Sequence, residues 1–153
     1  VRDQLKFYEK SLSIDKENLD EEIANFPSMF WTVSDFYLDA YRHCKRLEER
    51  LDRTFASIAG ALRSAAQEEK GARGVTETQI KQEVVLHPRY RKLKARLNQA
   101  RYVKDRWAAL KDSYLQKSFS LKGLVQLSMH ENFQQSHVSE ENVARKTRRR
   151  GQN

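Results

Sequence analysis

A chain of 153 residues that is 33% charged and 39% hydrophobic has material for one domain but little for a closed globular core, which suits an elongated helical protein or an oligomer. Five Gly and two Pro argue for long helices and against sheets, so the expected class is all-α. The net charge of +8 implies an acidic partner, most simply nucleic acid, and the single Cys44 excludes an intramolecular disulfide and suits a reducing cytoplasm.

Residues 1–27 carry four bases against seven acids, the opposite balance to the whole chain. A short amphipathic helix is predicted over Leu5–Leu12. Ser13 or Asp15 can then accept hydrogen bonds from the first free N–H groups of a second helix. Pro27 falls inside the helical pattern and predicts either a kink or a restart with Pro27 in the first turn. The expected division is therefore an N-terminal segment, 1–27, followed by a long helix, 28–69.

Along that helix Phe30, Val33, Tyr37, Ala40, Cys44, Leu47, Leu51, Ile58 and Ala65 recur on steps of three and four, with Phe55 and Leu62 beside the line, as in a coiled-coil seam. "KGARG" breaks the pattern, giving a Gly turn over 70–75. Thr76 with Gln79 three positions on is a capping box that starts the next helix. That helix reaches Leu86, because the residue before Pro88 is pushed out of helical geometry and a bend at His87–Pro88 follows. A second long helix carries Tyr90, Leu93, Leu97, Ala100, Val103, Trp107, Leu110, Tyr114, Leu121 and Leu124 on the same spacing. Helices are thus expected over 76–130, and beyond them, over 131–153, the polar sequence predicts a flexible basic tail containing Arg145, Lys146, Arg148, Arg149 and Arg150.

The short linker predicts an antiparallel helical hairpin with facing seams, preceded by the short N-terminal helix. Phe26, Met29, Trp31, Phe36 and Tyr41 lie off the seam, as do Phe7, Tyr8 and Phe119. Such aromatics ask for another surface, so a homo-oligomer larger than a dimer is expected, with the first five at its interface.

The segment "RYRKLKARLNQARYVKDRW", residues 89–107, holds eight bases and one acid. With its apolar residues turned inward, Arg89, Lys92 and Arg96 form one flanking row, and Arg91, Lys94 and Arg101 another. A solvated helix usually alternates sign at i and i+4, whereas this one accepts like-charge repulsion. The competing reading is a face neutralised by an acidic segment such as Asp15–Glu22. On the first long helix Arg42, Lys45, Arg46, Arg50, Arg53 and Arg63 are accompanied by Glu48, Glu49 and Asp52, as on an ordinary surface. Lys70 and Arg73 at the Gly turn pair cations with free backbone N–H groups and are candidate phosphate contacts. Tyr90 and Trp107 belong to the core, and Tyr102 is the candidate for stacking on bases.

No catalytic constellation is present. The four His are scattered, and "GARG" lacks the length and the Lys-Ser/Thr ending of a phosphate loop. A binding protein without metal or cofactor is expected, not an enzyme. No apolar run is long enough to cross a membrane and no leader pattern opens the chain, so a cytoplasmic protein is expected. Because the sequence begins at Val1 without Met, a few preceding residues, native or from a tag, are expected as well.

"IDKENLDEEIANFP", Trp31 and Tyr37 near the start of a long helix, "KGARG", and "VTETQIKQEVVLHPRY" ahead of a second long helix together resemble the phage recombination mediators of the UvsY type, over about residues 10–130. The resemblance rests on Ile14-Asp15, Leu19 and Glu22, then Thr76-Glu77, Ile80, Val84, Pro88 and Tyr90. It implies a ring-like homo-oligomer that binds single-stranded DNA and helps load a RecA-like recombinase onto DNA covered by single-strand-binding protein, in the host cytoplasm. It also implies DNA-binding cations late in the first long helix, where Arg63 is the nearest match and Arg53 the next. The basic tail is outside the family pattern. A helical scaffolding protein whose cations neutralise acidic neighbours, and an RNA-binding helical protein, are the alternatives that charge alone leaves open.

Overall fold

The computed structural model describes the backbone of residues 2–70 and 76–150, with side-chain surroundings for most of 3–68 and 76–133. Every regular element among the described residues is helical: α1 (Arg2–Lys10), α2 (Leu19–Lys70), α3 (Glu77–Leu86) and α4 (Pro88–Arg150). The chain divides into a terminal unit, 1–30 with 112–153, and a central unit, 31–111.

The helix starts follow from local chemistry. Asp15 does not cap α2 as predicted; its carboxylate instead accepts from the Glu17 N–H at 2.9 Å and from the Asn18 side-chain amide at 2.8 Å, which shapes the loop. The first turn begins at Leu19, and the Asn18 carbonyl accepts the Glu22 N–H at 3.1 Å. Pro27 lies inside α2, so the division expected at 27/28 is absent. A helix can carry a proline where surrounding contacts compensate for the missing N–H. Thr76 and Gln79 form the predicted capping box, and His87 is extended at φ −61° and ψ 129° between α3 and α4. Pro88 then occupies the first position of α4, where its missing N–H costs nothing, and the His87 carbonyl accepts from the Arg91 N–H at 3.0 Å.

In the central unit α2 and α4 run antiparallel, as the seams predict. Cross-helix contacts spread apart in sequence with distance from the turn: Ile58 and Ala59 pack with Ile80 and Val84 of α3, Leu51 with Leu93 and Leu97, and Phe36 stacks on Trp107 at 4.7 Å. Val33, Cys44, Ala100 and Leu110 are buried too, each large apolar side chain contributing roughly 1.5–3 kcal/mol. Ala65, placed on the seam by its spacing, is exposed. Burial pushes the Cys44 thiol up from its ordinary value, as suits a packing residue rather than a reactive one.

The terminal unit is organised around Tyr114 and Lys117 of α4. The Tyr114 ring is fully buried beside Phe26, and its hydroxyl bonds Ser11 and donates to the Tyr8 carbonyl at 3.3 Å. Lys117 is buried and spends all three of its protons: on the Ser11 carbonyl at 2.8 Å, the Ser13 carbonyl at 3.2 Å and the Glu22 carboxylate at 2.6 Å. A buried ammonium is tolerated only when satisfied in this way, and these bonds tie the α1–α2 loop to α4. Nothing in the spacing of apolar residues announced Lys117.

One expectation is corrected outright. Instead of losing regular structure after 130, α4 continues to Arg150. Residues 131–150 contain neither Gly nor Pro, and once a helix is nucleated each further residue adds a hydrogen bond for the dihedrals it fixes, so polarity alone does not end it.

Candidate nucleic-acid interface

The antiparallel pairing gives the central hairpin two different sides. At 100° per residue, Glu48 and Arg50 flank the α2 seam on opposite sides. On α4 the row Arg89, Lys92 and Arg96 flanks one side of the seam and Arg101 the other. On the first side charges are matched. Arg101 donates to Glu48 at 2.7 Å and Lys45 pairs with the same carboxylate at 3.2 Å, so Arg101 and then Lys45 hold Glu48 below the usual carboxylate range.

On the other side they are not. Arg50 and Thr54 of α2 and Arg89, Lys92, Leu93 and Arg96 of α4 line a cleft of about 190 Å³. Among the described residues no ion pair engages any of these four cations. Thr54 is buried, and its hydroxyl donates to the Arg50 carbonyl at 2.8 Å, which anchors the α2 wall. Four cations converge on one concavity with an apolar floor and no carboxylate; phosphate oxygens are the acceptors that such an array suits.

The predicted cations thus fall into separate groups. Arg89, Lys92 and Arg96 come together at the cleft. Arg91 and Lys94 are exposed elsewhere on α4. Arg101 is engaged by Glu48, and Arg63 forms a two-pronged pair with Glu77 of α3, both bonds at 2.8 Å. Arg63 holds Glu77 below the usual carboxylate range and braces α2 against α3. Arg53 is exposed with its Nε donating to the Glu49 carbonyl at 3.3 Å. The side chains of Lys70 and Arg73 lie outside the described residues. Tyr102 is 58% exposed and its hydroxyl accepts from Arg106 at 3.4 Å, with its ring on the face of α4 that carries Arg91.

Sequence reasoning passed over Arg50 and Thr54, yet a signal was there. Arg42 has Asp39 three residues before it and Lys45 has Glu48 three after, and both form those pairs, at 3.5 and 3.2 Å. Arg50 has no acid at three or four residues in either direction, and neither has Arg89, Lys92 or Arg96.

Of the aromatics assigned to an oligomer interface, Phe36 is stacked on Trp107, and Phe26 packs between Phe30 at 5.9 Å and Tyr114 at 6.2 Å. Met29 is half-buried and lines a small cleft beside Lys117. The premise that these residues find no cover in their own chain is therefore corrected for Phe26 and Phe36. Trp31 is 75% exposed and Tyr41 43%, the latter with Lys45 over its ring at 5.8 Å.

Among the described residues no His, Cys, Asp and Glu group could hold a metal ion, and no helix is long and apolar enough to cross a membrane. The described residues form an all-α arrangement with a UvsY-like fold. It superposes on the crystal structure of the bacteriophage T4 recombination mediator protein UvsY with a TM-score of 0.67, at 15% sequence identity, over 86% of this chain and 98% of that one. No family model and no curated protein matches the sequence.

Proposed function

We propose that this protein is a non-catalytic, single-stranded-DNA-binding recombination mediator that acts as a closed homo-oligomer larger than a dimer. The observation that carries the reading is likeness to a recombination mediator over nearly the whole length of both chains. The unpaired cleft supports it by supplying what such a role needs. Arg50, Arg89, Lys92 and Arg96 grip the phosphates of the strand, Arg91 and Lys94 extend the positive track, and Tyr102 offers a ring on which a base stacks. Arg53, Lys70 and Arg73 are further candidate contacts. Arg63 and Arg101 reach DNA only by giving up their carboxylate partners.

Mediation needs no covalent step. A strand held by its phosphates, in a conformation that a RecA-like recombinase binds more tightly than single-strand-binding protein does, shifts the exchange between the two through differential affinity alone. The test is a competition titration of the oligomer with single-stranded DNA, RNA and duplex over a salt series. Preference for single-stranded DNA supports the reading. Preference for RNA, or no binding to any of the three at 50 mM salt, overturns it.

A further inference from the structure

The two sides of the central hairpin differ in charge balance, and one carboxylate makes much of the difference. On the cleft side Arg50, Arg89, Lys92 and Arg96 line the concavity with no acid among them. On the opposite side Glu48, Arg101, Lys104 and Asp105 surround the buried Cys44 thiol. There each cation faces an acid: Lys104 pairs with Asp105 at 3.1 Å, and Glu48 takes one cation from each helix, Arg101 of α4 on Oε1 and Lys45 of α2 on Oε2. The Lys45 and Arg101 side chains are 55% and 45% exposed. Ion pairs this open to water add little to stability, so a strap between helices does not account for a carboxylate engaged twice.

We propose that Glu48 selects the path of the strand: by occupying Arg101 and Lys45 it keeps a polyanion off this side of the hairpin and confines it to the cleft. The inference rests on the DNA-binding reading of the cleft and adds to it a residue that touches no DNA. Glu48 acts in two ways. Its charge repels phosphate, and its oxygens engage the N–H donors that a phosphate would need. Without it Arg101 and Lys45, on facing helices, become a second pair of phosphate contacts, and a strand can lie along either side. Two paths would leave the strand in no single conformation, whereas mediation by differential affinity depends on holding one.

Glu48→Gln keeps the shape of the side chain and removes its charge. Glu49→Gln makes the same change in net charge at an exposed neighbour that no ion pair engages among the described residues. Both are read by fluorescence anisotropy on a labelled oligothymidine across a salt series. Each cation released to a phosphate adds about 0.7 to the slope of log K against log salt, so Glu48→Gln should steepen it by about 0.7–1.4. Between 1 M and 0.1 M salt that is a gain of about 5- to 25-fold in affinity, while Glu49→Gln should stay within about 0.3 of the wild-type slope. Adding Lys45→Ala and Arg101→Ala to Glu48→Gln should return the slope to the wild-type value. In a chain already carrying Arg50→Ala, Lys92→Ala and Arg96→Ala, Glu48→Gln should recover binding by at least about fivefold at 0.1 M salt, because the second side needs none of those cations. Thermal melts follow the fold: a lower melting point with an unchanged slope is the mark of a merely structural pair and counts against the proposal. A slope that does not steepen in Glu48→Gln, or that Glu49→Gln steepens equally, overturns the inference alone; a wild-type chain that binds no oligothymidine overturns both it and the DNA-binding reading.

Discussion

Replacing Arg50, Lys92 and Arg96 together by Ala removes three of the four cations that line the cleft between α2 and α4. Each phosphate neutralised on a single strand adds about 0.7 to the slope of log K against log salt, so three lost contacts should flatten the slope by about 2. Carried from 1 M to 0.1 M salt, that difference amounts to a loss of about two orders of magnitude in affinity, which closes again as salt rises. The fold should survive: Ala is a strong helix former, and none of the three side chains belongs to the buried seam. Fluorescence anisotropy on a labelled oligothymidine across the salt range is the assay, with Arg91→Ala plus Lys94→Ala as the comparison. Those two are exposed elsewhere on α4, so their removal should flatten the slope by no more than about 1.4. A triple variant with wild-type affinity and slope, or one that loses less than the double, would refute the assignment of the cleft.

Tyr102→Ala should cost on the order of 1–3 kcal/mol of binding while leaving the salt slope nearly unchanged, because stacking releases no counterions. Lys117→Met should destabilise the chain by about 1–3 kcal/mol in urea unfolding, since it removes the donor to the half-buried Glu22 carboxylate and to two carbonyls. Trp31→Ala should lower oligomer mass in light scattering with helix content intact, whereas Phe36→Ala should lower the unfolding midpoint by removing the stack on Trp107. Glu48 and Glu77 titrate below their unfolded value of 4.5 because Arg101 and Arg63 favour the carboxylates; the stability they contribute is complete above that pH and is lost as pH falls through the lower folded values. Glu77→Gln should therefore make the acid limb of a stability–pH profile shallower, as read by thermal melts between pH 3 and 6.

Much of the fold was legible because its signals are local or periodic. The capping box at Thr76 and the proline after His87 act within a few residues, and a three-four seam on each arm of a hairpin with a short turn leaves one way to pack. What escaped has a common cause. Arg63 read as a free cation because its partner Glu77 lies fourteen residues away across the turn, and no spacing rule along one helix reaches it. Lys117 meets its three acceptors about a hundred residues away, two carbonyls in the α1–α2 loop and Glu22 in the first turn of α2, and Phe36 its stacking partner on the opposite arm. In each case the decisive neighbour lies on another element, beyond any spacing rule along one helix. The register between α2 and α4 decides which cations remain available. It brings Glu48 to Arg101 on one side of the seam and, because Arg50 stands on the other side of α2, sends Arg50 toward Arg89, Lys92 and Arg96. A hairpin with interleaved signs on both sides would neutralise itself; this one pairs Arg101 with Glu48 on one side and leaves the cleft of Arg50, Arg89, Lys92 and Arg96 on the other with no carboxylate in its lining.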